Sequence, residues 1–251
     1  MRRRLIYMKI EGRNAVLELL KTDKTVDKIL IAKNPQGVLN KIFSEARKKG
    51  IRVQFVDERA LNRESEEKRH QGVIAFTSDF KYSSLDEILS TVEDKKGLII
   101  LCDGIEDVHN LGSIIRVAEC AGANGVIIPS NNSASVTEAV VRISAGAAEH
   151  MKVAKVNSLN RAVDELKNRG FWLYALEADG QNIYESDLSG NVALVIGGED
   201  SGVKKLTREK CDFTLALPLY GEVNSLNASV ALGIAAYEVK RFGSHKLKER
   251  K

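Results

Sequence analysis

The segment "GEVNSLNASVALGI" places three small polar side chains directly before an apolar helical stretch. Asn224, Ser225 and Asn227 each offer hydrogen bonds, although one such side chain is enough to cap a helix. Three of them around Leu226 therefore predict a bound ligand as well. No histidine lies nearby and no G-x-S-x-G turn precedes Ser225, so the segment does not suit serine hydrolase chemistry. Neutral polar groups beside backbone amides suit a nucleoside-like ligand.

A glycine-rich turn, "LVIGGEDSGVKK", is the second candidate segment. Gly197 and Gly202 have the spacing of the two P-loop glycines, but Val203 stands where that motif needs lysine. The G-x-G-x-x-G motif of dinucleotide sites is also absent from this turn. Two interpretations stay open. The segment is a tight turn with Glu199 capping the next helix, or a loop whose backbone N–H groups approach a ligand.

The third candidate segment is "HNLGSIIR", where Asn110 is predicted to cap a helix that carries Arg116. Arg116 follows six residues later on an otherwise apolar stretch. An arginine there either packs its stem and keeps its head in water, or brings a positive charge to a site.

Composition excludes several classes of protein. Three cysteines without a C-x-x-C pair and four histidines without ligand spacing predict neither disulfides nor a metal site. There is no run of about 18 apolar residues and no signal-peptide pattern, so we expect a cytoplasmic protein without a membrane partner. The net charge of +4, with basic runs at both ends, is compatible with RNA but not diagnostic of it.

The elements that position these segments begin at residue 97. Six apolar strands, "LIILCD", "GVIIPS", "MKVAKV", "WLYALEA", "VALVIGG" and "DFTLALPL", alternate with helical stretches over residues 111–121, 136–148, 160–169 and 204–210. Such an alternation predicts a parallel sheet covered on both faces, with ligands at the carboxyl ends of the strands. All three candidate segments follow predicted strands.

Residues 1–80 predict a separate small α/β domain. Its helices are "GRNAVLELLK" and "LNKIFSEARKKG", and its strands are "DKILIAK", "IRVQFVD" and "QGVIAFTSDF". The polar segment 81–96 is predicted to be a linker with a helical turn or more, which leaves residues 97–251 for the sheet domain.

The order of the three segments resembles the SpoU (TrmH-like) family of RNA ribose 2′-O-methyltransferases, within the SPOUT superfamily. The matching motifs are "NLGSIIR", "GGEDSG" and "LPLYGEVNSLNASVALGI". "EGRNAVLELL" and "RHQGVIAF" are similar to the family's N-terminal RNA-substrate domain. "RISAGAAEH" and "GFWLYALEADG" resemble the subgroup that methylates a guanosine ribose in large-subunit ribosomal RNA. Asp200 departs from the family pattern, which usually carries glycine there.

The resemblance implies an α/β fold in which the C-terminal parallel sheet holds a deep trefoil knot, after a ribosomal-protein-like N-terminal RNA-binding domain. It also implies a homodimer that binds RNA without a metal. S-adenosylmethionine would lie in the knot. The residues that would hold it are Gly197, Gly198, Leu217 and Leu226.

The resemblance makes Arg116 the catalytic residue, with Asn110, Glu199, Ser225 and Asn227 orienting it and the ribose. A guanidinium is a poor base because its pKa lies above about 12. We therefore expect Arg116 to act electrostatically, on an RNA phosphate or the developing alkoxide. Arg13 and Asn14 of the N-terminal domain are predicted RNA contacts, although a solvated helix surface is the simpler interpretation of each.

Three alternatives to this function stay open. A transfer-RNA ribose methylase would keep the mechanism and change the target. A non-catalytic RNA-binding protein would depend on the first 80 residues. A nucleotide-dependent phosphotransferase would use the turn between Gly197 and Gly202, but it lacks the P-loop lysine.

Overall fold

The computed structural model describes residues 7–22, 26–65, 69–78, 80–92, 97–199 and 201–248. Asp200 and the chain ends therefore lie outside the described residues. The chain divides into two compact units, residues 1–81 and 82–251.

Unit 1 is a four-stranded sheet in the order β1-β4-β2-β3. β1, β2 and β3 run in one direction and β4 runs against its two neighbours. The helices α1, α2 and α3 accompany the sheet. The element bounds are Tyr7–Glu11 (β1), Arg13–Leu19 (α1), Val26–Ala32 (β2), Val38–Lys48 (α2), Arg52–Val56 (β3), Glu58–Glu64 (α3) and Val73–Ser78 (β4).

Successive side chains of β2 pack on opposite faces of this sheet. Ile29 and Ile31 pack in the core with α1 and α2, whereas Leu30 packs with Leu61 of α3 on the opposite face. The predicted helices and strands of unit 1 are present. β1 and α3 were not predicted, because both are short and polar. Asp57 stabilises α3 by accepting the Ala60 N–H at 2.9 Å.

In unit 2 the described residues form a six-stranded sheet in the order β10-β8-β9-β5-β6-β7. Every pair of neighbours is parallel, as the sequence predicted. The strands are Leu98–Asp103 (β5), Gly125–Pro129 (β6), Val153–Val156 (β7), Phe171–Asn182 (β8), Asn191–Gly197 (β9) and Phe213–Ala216 (β10).

Helices cover both faces of this sheet. The helices are Leu85–Leu89 (α4), Val108–Cys120 (α5), Glu138–Ile143 (α6), Leu159–Asn168 (α7), Lys205–Lys210 (α8) and Ala228–Lys248 (α9). α4 and α7 bury one face of the sheet in an apolar core. α5 and α9 pack against each other, with α5 on β6 and α9 on β9. All six residues of β5 are buried, which explains its continuous apolar run.

Two helices of unit 2 begin or end at a different residue from the one that the sequence predicted. α5 begins at Val108, where Asp107 accepts the His109 N–H at 3.0 Å, so Asn110 lies in the first turn and is not the cap. The helix predicted over residues 136–148 ends at Ile143. Ala145 and Gly146 have φ values of 53° and 88°, and this left-handed backbone ends an α-helix.

The segment predicted as a linker contains α4. Ser84 and Glu87 form a reciprocal capping box at its start. Ile88 is fully buried in the core of unit 2, so residues 82–92 are packed against the sheet.

The chain passes very close to itself in two places at the β8, β9 and β10 end of the sheet. A Cβ added to Gly180 would lie 2.5 Å from the Leu215 carbonyl carbon, and one added to Gly197 would lie 1.9 Å from that of Gly202. The trefoil knot implied by the resemblance stays a prediction. No described helix combines the length and the apolar character needed to cross a membrane.

Candidate active site

Three loops of unit 2 meet beyond the carboxyl ends of the strands. They follow β5, β9 and β10, which end at Asp103, Gly197 and Ala216. β9 pairs with β5 and with β8, and β8 pairs with β10. Because these four strands are adjacent and parallel, segments far apart in sequence come together at this edge.

Asn110, Glu199 and Asn227 form a hydrogen-bonded triangle, one residue from each of the three predicted motifs. Asn110 Nδ2 donates to Glu199 Oε1 at 3.1 Å. Asn227 Nδ2 donates to the same oxygen at 2.5 Å and to Asn110 Oδ1 at 2.9 Å. Glu199 therefore binds two side-chain amides. It does not cap α8, whose first residues receive no side-chain cap.

The other end of the Asn227 side chain caps α9. Its Oδ1 accepts the Ser229 N–H at 3.0 Å, the Ser229 hydroxyl at 2.6 Å and the Val230 N–H at 3.4 Å. These three donors fix the amide orientation, because only the carbonyl oxygen can accept them. One of the three polar groups before α9 is thus the cap, and this cap turns its NH₂ toward Glu199.

A cleft lies beside the triangle and encloses about 710 Å³, open solvent at its mouth included. All four residues predicted to hold a cofactor line it, namely Gly197, Gly198, Leu217 and Leu226, as do Asn224 and Ser225. Leu176, Ile196 and Leu215 add apolar walls. Asn224 and Ser225 are exposed and make no hydrogen bond with the described residues.

Glycines let the backbone form one wall of this cleft. Gly202 has a φ of +60° and donates its N–H to the Gly198 carbonyl at 2.8 Å. A Cβ at Gly197 would overlap the Gly202 backbone, and one at Gly198 would lie 2.9 Å from the Gly104 carbonyl oxygen. No larger residue fits at Gly197 without moving the loop.

Two acidic residues that the sequence analysis did not select hold the end of this loop. Asp103, only 2% exposed, accepts the Lys204 N–H at 3.0 Å and lies 3.2 Å from Lys204 Nζ. Glu177 accepts the Val203 N–H. In the sequence, each of the two is a carboxylate at or near the end of an apolar strand. This position alone does not distinguish a structural acid from a functional one.

Arg116 lies on the same helix as Asn110 but is not a member of the triangle. It lies six residues after Asn110, which turns it about 240° around α5 and moves it about 9 Å along the helix. Its side chain is exposed and makes no hydrogen bond or ion pair with the described part of the chain. It is next in the chain to Val117 at the contact between α5 and α9, where a Cβ added to Gly233 would lie 3.7 Å from Val117 and the Cys120 carbonyl accepts the Tyr237 hydroxyl at 3.3 Å.

Comparison with known protein families shows the family of the chain. Residues 97–237 match the family model described as the SpoU rRNA methylase family. Residues 9–83 match the model described as RNA 2′-O ribose methyltransferase substrate binding. The chain belongs to the SpoU methylase family.

Relatives and solved structures are similar over most of this SpoU methylase. YacO of Bacillus subtilis (strain 168), which its name assigns to the TrmH family tRNA/rRNA methyltransferases, is 40% identical over 92% of this chain and 94% of its own length. The SpoU methyltransferase AviRb of Streptomyces viridochromogenes, solved with AdoMet, matches with a TM-score of 0.60 and 22% identity over 94% of this chain and 90% of its own. The A. aeolicus TrmH/SpoU tRNA modifying enzyme matches with a TM-score of 0.55 and 30% identity over 64% of this chain and 81% of its own.

The two predicted RNA contacts of the SpoU methylase lie on different surfaces of unit 1. Arg13 lines a cleft at the carboxyl ends of β2 and β3, together with Lys33, Arg69 and His70. Its Nε donates to the Gln71 carbonyl at 3.0 Å. Asn14 lines a separate depression between α1 and α2.

Two cysteines of the SpoU methylase are held in the unreactive thiol form. Burial raises the pKa of the Cys102 thiol to about 12, with a contribution from Asp103, and burial likewise raises the pKa of Cys211 to about 12. All three cysteines are free. Among the described residues, no group of three histidine, cysteine, aspartate or glutamate side chains is placed to hold a metal ion.

Proposed function

We propose that this RNA methyltransferase transfers a methyl group from S-adenosylmethionine to the 2′-hydroxyl of a guanosine ribose in large-subunit ribosomal RNA. The observation that carries the proposal is the Asn110–Glu199–Asn227 triangle at an apolar, glycine-lined cleft. Solved neighbours support the cofactor, since AviRb and an rRNA methyltransferase from Sinorhizobium meliloti were solved with AdoMet.

The cleft fits the cofactor by its chemistry. Leucine and isoleucine walls suit the adenine and the methylene groups, and the backbone of Gly197 and Gly198 lines the same cleft, where it offers hydrogen bonds to the nucleoside. A side chain at Gly197 would displace the backbone that forms this wall. When bound, S-adenosylmethionine supplies an electrophilic methyl group on a sulfonium centre.

The chain's own part in the reaction is to orient the ribose and favour loss of its proton. The triangle fixes the direction of the Asn110 and Asn227 amides, which leaves a preorganised polar surface beside the cleft. Ser225 adds a hydroxyl that makes no hydrogen bond with the described residues. Arg116, whose charge no carboxylate among the described residues neutralises, supplies positive potential for an RNA phosphate or the developing alkoxide.

We assign RNA capture to unit 1, with Arg13 as a phosphate contact. One of its nitrogens is anchored on Gln71, so its terminal N–H groups remain for a phosphate. Lys33 and Arg69 line the same cleft, although Asp57 and Glu58 reduce the local positive charge. The match to an RNA substrate-binding family over residues 9–83 supports this assignment.

We also propose that two copies pair through α9. Val230, Ile234 and Tyr237 recur on one face of this helix and remain 50%, 37% and 55% exposed. Such an apolar stripe is typical of a subunit interface. Arg116 borders it, so pairing would place this charge near the second copy.

Transfer RNA is the alternative target, because the curated relatives are named for both tRNA and rRNA. The substrate-binding unit favours ribosomal RNA modestly. The decisive experiment incubates the protein with methyl-labelled S-adenosylmethionine and either unmodified ribosomal RNA or transfer RNA. Each RNA is then digested and the labelled nucleoside is identified.

We expect 2′-O-methylguanosine from ribosomal RNA. Label in transfer RNA alone would keep the chemistry and overturn the target. No label in either RNA, together with no binding of S-adenosylmethionine, would favour the non-catalytic RNA-binding alternative.

A further inference from the structure

β8 leaves its ladder with β10 at the edge of the cleft. Thr214 pairs with Ala175, but the next residue, Leu215, pairs with Gln181, so residues 176–180 lie outside the ladder. This excursion is possible because Gly180 has no side chain to meet the Leu215 backbone. Irregularities of this kind redirect side chains beside functional sites.

The redirected side chain is Glu177, which lines the cleft. Its Oε1 accepts the Val203 N–H, at the end of the glycine loop. A Cβ at Gly202 would lie 2.6 Å from this oxygen, so the carboxylate and the loop backbone are in direct contact. Arg208 holds the same excursion through Asp179 at 2.9 Å.

Charge is scarce on the walls of this cleft. Among the described residues that line it, Glu177 and Glu199 carry the charged side chains, and the rest are apolar, glycine, asparagine or serine. Glu199 already accepts two amide N–H groups. Glu177 accepts a single N–H among the described residues. The positive charge of Arg208 also attracts Glu177, but the stronger interaction of Arg208 is its hydrogen bond to Asp179.

We propose that the Glu177 carboxylate makes the cleft select S-adenosylmethionine over its own product, S-adenosylhomocysteine. The inference rests on the proposed function, in which this cleft holds the cofactor. At neutral pH S-adenosylmethionine has a net charge of +1, from its sulfonium, ammonium and carboxylate groups, and S-adenosylhomocysteine is neutral. A carboxylate in an apolar cleft therefore stabilises bound S-adenosylmethionine more than bound S-adenosylhomocysteine.

Selection of this kind favours turnover. Once the methyl group has left, the bound molecule has lost the positive charge that Glu177 attracts. The carboxylate then contributes less to binding, and the product leaves more readily. Glu177 is thus a specificity residue for the cofactor, as well as an anchor for the loop.

The test separates these two roles with two variants. Glu177→Gln keeps a carbonyl oxygen for the Val203 N–H and removes the charge. Glu177→Asp keeps the charge and shortens the reach to Val203. Calorimetric titration measures the Kd of S-adenosylmethionine and of S-adenosylhomocysteine for each variant.

For Glu177→Gln we expect the Kd of S-adenosylmethionine to rise about tenfold and that of S-adenosylhomocysteine to change less than about twofold. For Glu177→Asp we expect both to weaken by a similar factor. The matched control is Glu185→Gln, which removes the same charge from an exposed position outside the cleft and should leave both constants unchanged.

Equal weakening of both ligands by Glu177→Gln would overturn the inference, because Glu177 would then act only through the loop. No change in either constant would overturn it too. If the unaltered protein bound neither ligand, the proposed function itself would fail, and this outcome is distinct from the other two.

Discussion

The side-chain nitrogen of Asn227 lies 2.5 Å from Glu199 Oε1, and this hydrogen bond joins the loop after β9 to the start of α9. The same asparagine caps α9 with its oxygen. One residue therefore stabilises a helix and orients a site. The two roles can be separated because they use different atoms.

Asn227→Ser should separate them. Serine caps helices about as well as asparagine, so we expect the free energy of unfolding to change by less than about 0.5 kcal/mol. Serine cannot reach Glu199, so kcat/KM for methyl transfer should fall about 100-fold. Asn227→Ala should lose the same activity and about 1 kcal/mol of stability as well. Urea unfolding measures the free energy of unfolding of each variant, and the labelled-methyl assay measures its kcat/KM. Full activity in the serine variant would remove Asn227 from the site.

Gly202→Ala should impair cofactor binding beyond its effect on stability. Its φ of +60° strains any L-residue, and its Cβ would meet Glu177 at 2.6 Å. Gly170→Ala is the matched control, because Gly170 has a φ of +80° with nothing within 4 Å of the added Cβ. Each of the two substitutions should lower the free energy of unfolding by about 1–2 kcal/mol. Only Gly202→Ala should raise the Kd of S-adenosylmethionine, by at least about tenfold. Equal Kd values in the two variants would contradict the role of the loop.

Arg116 should matter for activity and not for folding. The side chain is exposed and has no partner among the described residues, so Arg116→Ala should leave the melting temperature unchanged. We expect this variant to lose about 1,000-fold in methyl transfer and Arg116→Lys about tenfold, because a positive charge is retained.

Arg161→Ala removes the same charge from α7, on the other face of the sheet, and serves as the control for Arg116. It should remain fully active. If Arg116→Lys lost as much as Arg116→Ala, the electrostatic role would be wrong, and a role specific to the guanidinium geometry would replace it.

The apolar face of α9 should hold a dimer together. Val230→Lys combined with Ile234→Lys places two charges on the proposed interface, and light scattering after gel filtration should then report a monomer. Leu206→Lys changes an apolar residue of α8 that is 56% exposed, and it should leave the dimer intact. A dimer that survives the double substitution must use another surface.

Arg13→Ala should weaken RNA binding at low salt. Loss of one phosphate contact should reduce the slope of log K against log salt by about 1. Asn14→Ala changes an uncharged residue on a different surface of unit 1 and should keep the slope of the unaltered protein. Filter binding at several salt concentrations measures both. An unchanged slope for Arg13→Ala would show that Arg13 is a solvated surface residue.

Regular elements could largely be predicted from the sequence, because burial imposes visible patterns. The strands β5, β6 and β9 are apolar along nearly their whole length since helices cover both faces, and the parallel arrangement of the sheet was predicted from such runs. Elements with weak patterns were missed. β1 and α3 are short and polar, and α6 ends early because Ala145 adopts a left-handed backbone that no composition rule predicts for alanine.

The candidate site was predicted in part. Asn110, Glu199 and Asn227 were each selected from a motif, but the sequence could not show that they share hydrogen bonds, since 117 positions separate Asn110 from Asn227. Glu177 and Asp103 were missed because a carboxylate near a strand end has many possible roles. Only the excursion of β8 shows which way Glu177 faces.

The sequence by itself determined the alternation of strands and helices, the family motifs and the residue types at the site. The tertiary structure alone decided which of these side chains meet. Strand order sets that outcome, because β5, β8, β9 and β10 become neighbours through pairing that local patterns do not encode. Asn227 thereby faces Glu199 and Asn110, while Arg116 is exposed on α5 and its predicted role beside them stays a prediction.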